Sequence, residues 1–175
     1  MVRHFLSAAD LTRTEAEALL DRAQALKAEW RNGGHARDAH GALPLQGKTL
    51  ALVFEKPSLR TRVAFEAGMT QLGGHGSYLS ANDIDMGGRE SVPDVARNLS
   101  RWVHAIAARV FRHATVETLA RYATVPVINA LSDREHPCQE LADMLTLREH
   151  YGRLAGLTLA YVGDGNNVAH SLMLL

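Results

Sequence analysis

The chain has 175 residues, 46% hydrophobic and 22% charged, with 19 Lys and Arg balanced by 19 Asp and Glu. This length accommodates one proper core and the beginning of a second, and a formal net charge of zero excludes the broad basic field that a general nucleic-acid or membrane-surface binder requires. The single cysteine, Cys138, rules out an internal disulfide framework and suits a reducing cytoplasm; the absence of a signal peptide or an apolar run of about 20 residues argues against export by that route and against a membrane span.

Taken in chain order, Thr12 and Glu15 have capping-box spacing, and Leu19, Leu20, Ala23, Leu26 and Trp30 recur behind them at helical intervals. A packing helix is expected there, ending at Asn32-Gly33-Gly34, followed by a polar loop through Gly41 and Pro44 to which no function is assigned. The apolar run TLALVF (49–54) reads as a strand, and Pro57 stops it. Ser58 is a good N-cap, so the leading amides and positive dipole end of the next helix converge on a spot suited to an anion. Around that spot lie Ser58, Thr61, Lys56, Arg60 and Arg62, more positive charge than a helix first turn ordinarily carries. Either this is an anion site or it is a solvated basic helix start. Arg60 and Arg62 are two apart and cannot follow one helix face, so one is expected to grip a ligand while the other braces the loop.

The helix continues through Val63, Phe65, Met69 and Leu72 to Gly73-Gly74, and residues 77–80 form a short strand. Residues 81–90, ANDIDMGGRE, read as a mobile loop. Asp83 and Asp85 alternate as in a calcium loop, but no bidentate acid follows, and no metal site is expected. Arg89 is either a surface charge or a cation delivered into a pocket, that of a neighbouring subunit included. A helix over 92–102, a strand over 104–110, a helix over 116–122 and a strand over 125–129 complete the rhythm of a parallel α/β sheet flanked by helices in three layers.

Such sheets bind ligands at the carboxyl ends of their strands. The SLRTR turn, Arg109, Arg112-His113 and the run 132–139 all fall there. Pro137 fits the first position of a helix, which puts His136 and Gln139 on one side of its start, either as hydrogen-bond donors to a carbonyl or amide or simply as a cap. Cys138 beside His136 does not by itself make a nucleophile and base pair. Residues 157–164, LTLAYVGD, read as a buried strand, and Gly163-Asp164-Gly165 after it raises a dinucleotide site as a weak alternative, since Val168 stands where the third glycine belongs.

Through FEKPSLRTRVAFE, ARVFRH, VPVINALSDREHPCQELADMLT and VGDGNNVAHS, in that order, the chain resembles the ornithine carbamoyltransferases over nearly its whole length. The resemblance implies a carbamoyl-phosphate-binding domain over 1–150 and the incomplete beginning of a Rossmann-like ornithine-binding domain over 151–175. It also implies a cytoplasmic homotrimer of the arginine pathway with active sites between subunits and no cofactor or metal. By motif, Ser58, the Leu59 backbone, Arg60, Thr61, Arg109, His136 and Gln139 would hold carbamoyl phosphate, with Arg60 and His136 catalytic, and Asn167 would contact ornithine. The aspartate enzymes share SxRTR and HPxQ; Asn166-Asn167 favours the ornithine branch.

Two departures stand out. Asp85 occupies the place of a loop glutamine that in many members reaches the neighbour's ligand, which leaves Arg89 as the expected substitute. The chain also stops at Leu175, before the later ornithine-binding and catalytic motifs, so a truncated, inactive carbamoyl-phosphate-binding module, or a transferase for another amine, is the competing expectation.

Overall fold

The computed structural model describes residues 2–34, 37 and 41–175. The first long helix, α1 (Arg13–Arg31), starts with the expected capping box, in which the Thr12 hydroxyl accepts from the Glu15 N–H and the Glu15 carboxylate accepts from the Thr12 N–H. Of its apolar stripe only Leu20 is fully buried, while Leu19 and Trp30 remain about half exposed. The expected polar loop after α1 lies in part outside the described residues.

Four parallel strands form the sheet: β1 (Thr49–Phe54), β2 (His75–Ser80), β3 (Ala105–Arg109) and β4 (Val127–Leu131), in the order β2-β1-β3-β4. β1 is apolar at almost every position because both of its faces are covered. Ala51 and Val53 point into one core with Val95 and Leu99 of α4 (Val92–Trp102) and Val116 and Leu119 of α5 (His113–Tyr122). Leu50, Leu52 and Phe54 point the other way, toward Met69 and Phe65 of α2 (Leu59–Gln71). Helices on both faces make the three-layer α/β architecture that the sequence predicted, and each fully buried Leu, Ile or Phe side chain contributes about 1.5–3 kcal/mol to holding it. From β1 the chain crosses to β2 on one side, whereas β3 and β4 lie on the other. The carboxyl ends of β1 and β3 therefore flank the point where the strand order reverses, the usual ligand crevice of such sheets.

Several boundaries differ from expectation. β2 starts at His75, two residues early, and α5 starts at His113. β4 covers Val127–Leu131 rather than 125–129, because Pro126 has no N–H for the ladder and pairing begins at Val127 against Ile106. Residues 81–90 contain one helical turn, α3 (Ala81–Ile84), capped by the Asp83 carboxylate on the Ser80 N–H. The expected strand over 157–164 is not formed; its Leu159, Tyr161 and Val162 are exposed. A strand needs a partner ladder, and residues 157–164 pair with none of the four strands; the outer edge of β4 carries instead a contact in which the Phe5 N–H donates to Val127 O and the Asn129 N–H donates to Phe5 O. That N-terminal edge contact carries no obvious local sequence signal. Two further helices, α6 (Pro137–Tyr151) and α7 (Asn167–Leu174), close the chain, α6 packing against β4, α1 and α7. No helix among the described residues is long and apolar enough to cross a membrane.

Candidate functional site

The turn after β1 makes the first wall. Ser58 caps α2: its hydroxyl accepts from the Thr61 N–H at 3.3 Å and donates to Thr61 Oγ1 at 3.0 Å. The cap leaves the N–H groups of Leu59 and Arg60 without an intrahelical acceptor, as at any helix start, and directed outward at the dipole's positive end. Leu59 is 78% exposed and does not itself line the cavity that its neighbours Ser58 and Arg60 line.

The basic cluster divides by partner. Arg62 lies 3.9 Å over the Tyr78 ring and pairs with Glu66 at 3.2 Å, and Lys56 sits 4.7 Å over the Phe111 ring. Arg60 has neither a hydrogen bond nor an ion pair among the described residues. Arg62 thus holds α2 against itself and β2 rather than bracing the loop, and Arg60 is left as the cation without a partner among the described residues.

Arg109, the last residue of β3, donates from Nη1 to Thr61 Oγ1 at 3.4 Å, and its buried Nε has no partner. Burial first, and then repulsion from Arg60, push its pKa down. Two guanidinium groups so placed gain from an anion between them. The Glu55 carboxylate accepts from the Phe111 N–H at 2.6 Å and so ties the exit of β1 to that of β3, a bracing role that its sequence position did not signal.

The opposite wall is the start of α6, where His136 is the N-cap residue and Pro137 the first helical residue. The His136 imidazole makes no hydrogen bond among the described residues, and its Nδ1 is buried. Burial first, then the nearby Arg109 charge, push its pKa down to about 4, with Asp143 opposing. It is accordingly neutral at pH 7 and carries one ring N–H for an oxygen acceptor. The Gln139 Nε2 donates one of its two N–H groups to Asp143 Oδ1 at 3.0 Å, which fixes the amide's orientation and leaves its oxygen as acceptor for an N–H of a ligand. Cys138 lines the same cavity as His136 and Gln139, and burial pushes its thiol up to about 12, away from the thiolate form.

Ser58, Arg60, Thr61, Arg109, His136 and Gln139 all line one cavity of about 520 Å³, with Phe65, Ala130 and Leu131 as apolar wall. That is the size range of a small-molecule pocket, with convergent polar groups on an apolar base. Two expected site residues lie elsewhere. Arg89 is on the exposed 81–90 loop, where its guanidinium donates to Asp83 O and meets Glu90 at 3.3 Å. Asp85, the residue that departs from the family pattern, accepts from the Arg89 N–H in the same loop. The Asn167 Nδ2 donates to Ser132 O at 2.7 Å, which ties that side chain to the loop before His136.

A family model described as aspartate/ornithine carbamoyltransferase, carbamoyl-P binding domain, matches residues 3–149. The ornithine carbamoyltransferase of Anoxybacillus flavithermus is 55% identical over 172 residues, 98% of this chain and 53% of the relative. The solved ornithine carbamoyltransferase of Pyrococcus furiosus superposes with a TM-score of 0.93 at 50% identity, over 98% of this chain and 53% of that one. That of Thermus thermophilus gives 0.88 at 54% identity, over 99% and 57%. The chain spans about half the length of these relatives.

Proposed function

Because the chain belongs to the aspartate/ornithine carbamoyltransferase family, we propose that its cavity holds carbamoyl phosphate and that the whole protein transfers the carbamoyl group to the δ-amine of L-ornithine. The observation that carries this reading is the convergence of two unneutralised guanidinium groups, a helix start and an unpartnered neutral imidazole on one cavity. The first three suit a phosphate; the imidazole suits a carbonyl oxygen. The neutral amine attacks the carbamoyl carbon, the carbonyl electrons move onto oxygen, and collapse of the tetrahedral oxyanion expels phosphate to leave citrulline once the amine has lost its proton. Arg60, Thr61 and His136 face the oxyanion, Ser58, Arg109 and the Leu59 and Arg60 amides the phosphate, and Gln139 Oε1 the carbamoyl NH2 group. No metal or covalent intermediate is required.

Ornithine is favoured over aspartate by the names of the relatives and by Asn166-Asn167. With one Asn167 N–H held by Ser132 O, its second amide N–H is the donor left for an ornithine contact. The remaining ornithine contacts belong to the portion of the relatives that this chain does not span, and a division near residue 150, a homotrimer and a cytoplasmic place in arginine synthesis follow from the same family reading. Within the trimer Arg89, unneeded by its own cavity, reaches the neighbour's ligand.

The half-length of the match supports a second reading, in which these 175 residues bind carbamoyl phosphate without turning it over. Calorimetric titration with carbamoyl phosphate, run beside a citrulline assay with ornithine, separates the two. Binding with citrulline supports the enzyme and binding without it the module; no binding by the folded chain sinks both. Arg89→Ala should weaken carbamoyl phosphate binding only under conditions where the protein is trimeric.

Asp143 offers a further check. Its replacement by alanine frees the Gln139 amide to rotate, and loss of one such hydrogen bond should weaken carbamoyl phosphate binding about threefold to tenfold while leaving phosphate binding unchanged. The same change removes a charge that favours the imidazolium, so His136 should titrate still lower, which proton NMR would read.

A further inference from the structure

The loop that delivers His136 is gripped from both sides by groups outside the cavity. On one side is α7. Asn167 Nδ2 donates to Ser132 O at 2.7 Å, the His170 Nδ1 meets Arg134 O at 2.9 Å, and the His136 N–H donates to Ser171 Oγ at 2.9 Å. The Ser171 hydroxyl passes its own proton on toward Glu135 Oε2 at 3.4 Å. On the other side is the N-terminal segment, where the Ser7 hydroxyl donates to Glu135 Oε1 at 2.7 Å and the Ala8 N–H to Oε2 at 2.8 Å. Glu135 is 1% exposed and Ser171 0%, so the contact between these two is buried, while Ser7 is only partly so.

The geometry points to Ser171 and Glu135 as positioning residues for His136, with the carboxylate orienting the serine hydroxyl and the hydroxyl holding the backbone N–H that fixes where the imidazole enters the cavity. A hydroxyl can both accept and donate, and here its donor end is taken by the carboxylate, which turns its lone pairs to His136. A buried N–H left without an acceptor would instead pull the loop toward water or another partner. The pair lies beside the cavity, and neither residue lines it. Of the two sides, α7 is the one that reaches His136 directly, through Ser171, whereas the N-terminal segment reaches only the Glu135 carboxylate. The consequence for the reaction rests on the proposed reading of His136 as the carbonyl contact.

Three variants of the 175-residue chain test it: Ser171→Ala, which removes the bond to His136; Glu135→Gln, which keeps the shape and weakens the pull on the hydroxyl; and Ser7→Ala, which cuts the same carboxylate's bond on the side away from His136. The His136 titration is read by NMR without ligand, and affinities for carbamoyl phosphate and inorganic phosphate by calorimetry. Ser171→Ala should let His136 titrate nearer the ordinary 6.5 and weaken carbamoyl phosphate about tenfold with phosphate unchanged. Glu135→Gln should move both in the same direction by less. Ser7→Ala should lower the melting temperature and move neither.

A Ser171→Ala chain with the parent's titration and affinities overturns the assignment, as does a Ser7→Ala chain that shifts His136 equally. Should Ser171→Ala not fold, Glu135→Gln decides by the same readings. If the parent chain binds no carbamoyl phosphate, the proposed function fails, and the ligand-free titrations still decide whether the two residues position His136.

Discussion

On the proposed function, Arg60→Ala is expected to slow citrulline formation by the whole protein by at least about a hundredfold, since removal of one well-placed donor to a developing oxyanion costs roughly 2.7–4 kcal/mol. The size of the effect follows from what Arg60 lacks. Arg62 is committed to Glu66 and the Tyr78 ring and Lys56 to Phe111, whereas the Arg60 guanidinium has no partner among the described residues and still lines the cavity. Its present neighbour of note is Arg109, whose pKa it depresses. The substitution should therefore leave stability unchanged within about 0.5 kcal/mol, as for an exposed side chain without partners, while Arg109 regains some basicity. Arg62→Ala serves as the control, with a smaller loss of rate. Steady-state kinetics on both, with a urea melt of each, checks the prediction. A near-normal rate for Arg60→Ala, or equal losses at the two positions, would remove Arg60 from the reacting centre.

Replacement of Glu140 should stabilise the protein, and more so as pH rises. Glu140 stands in the first turn of α6, is 0% exposed, and neither of its carboxylate oxygens has a hydrogen-bond partner among the described residues. Burial first, and then the nearby Asp143 charge, raise its pKa from 4.5 to about 7. With the folded value above the unfolded one, the folded state holds the proton more tightly. Stability from this group is intact below 4.5, falls as pH rises through about 7, and is flat beyond.

A shift of that size corresponds to about 3 kcal/mol lost at pH 8, offset in part by the favourable helix dipole. Glu140→Leu should recover most of it. His136 works in the opposite sense: its folded value near 4 lies below the unfolded 6.5, so stability is lost as pH falls through that window. Between about 4.5 and 6.5 the slopes of these two groups oppose one another and largely cancel. In Glu140→Leu the His136 slope, joined by that of His4, whose pKa burial also lowers, is unopposed by Glu140, and stability should climb over that range. Urea unfolding of both proteins at pH 5 and 8 reads this directly. A variant less stable than the parent at pH 8, or a difference between them independent of pH, would contradict it.

The parallel sheet was legible because each strand announces itself locally. Thr49–Phe54 is apolar at nearly every position, as a strand covered on both faces must be, and helical periodicity separates the runs. The cavity residues were legible for a related reason. Ser58 and Pro137 are helix-start residues, helix starts follow strand ends, and strand ends of a parallel sheet share one rim. Where local reading failed, the deciding partner lay far away. Residues 157–164 have a strand's composition but pair with none of β1–β4, and it is Phe5, from the N-terminal segment, that bridges to β4.

Sequence alone determined the α/β class, the capped turn at 58, the proline-led helix at 137 and the family resemblance, all of which depend on residues within a helical turn or on motifs in order. Only the folded chain decided that, among the described residues, Arg62 has an ion-pair partner and Arg60 none, that Asp143 takes one Gln139 N–H, that Glu140 is buried without a partner, and that Ser171 and Ser7 meet at Glu135. Each of those outcomes turns on which polar groups approach within hydrogen-bonding distance and which are denied water. Packing sets those distances between segments as much as 128 residues apart, and no pattern of neighbours along the chain encodes them.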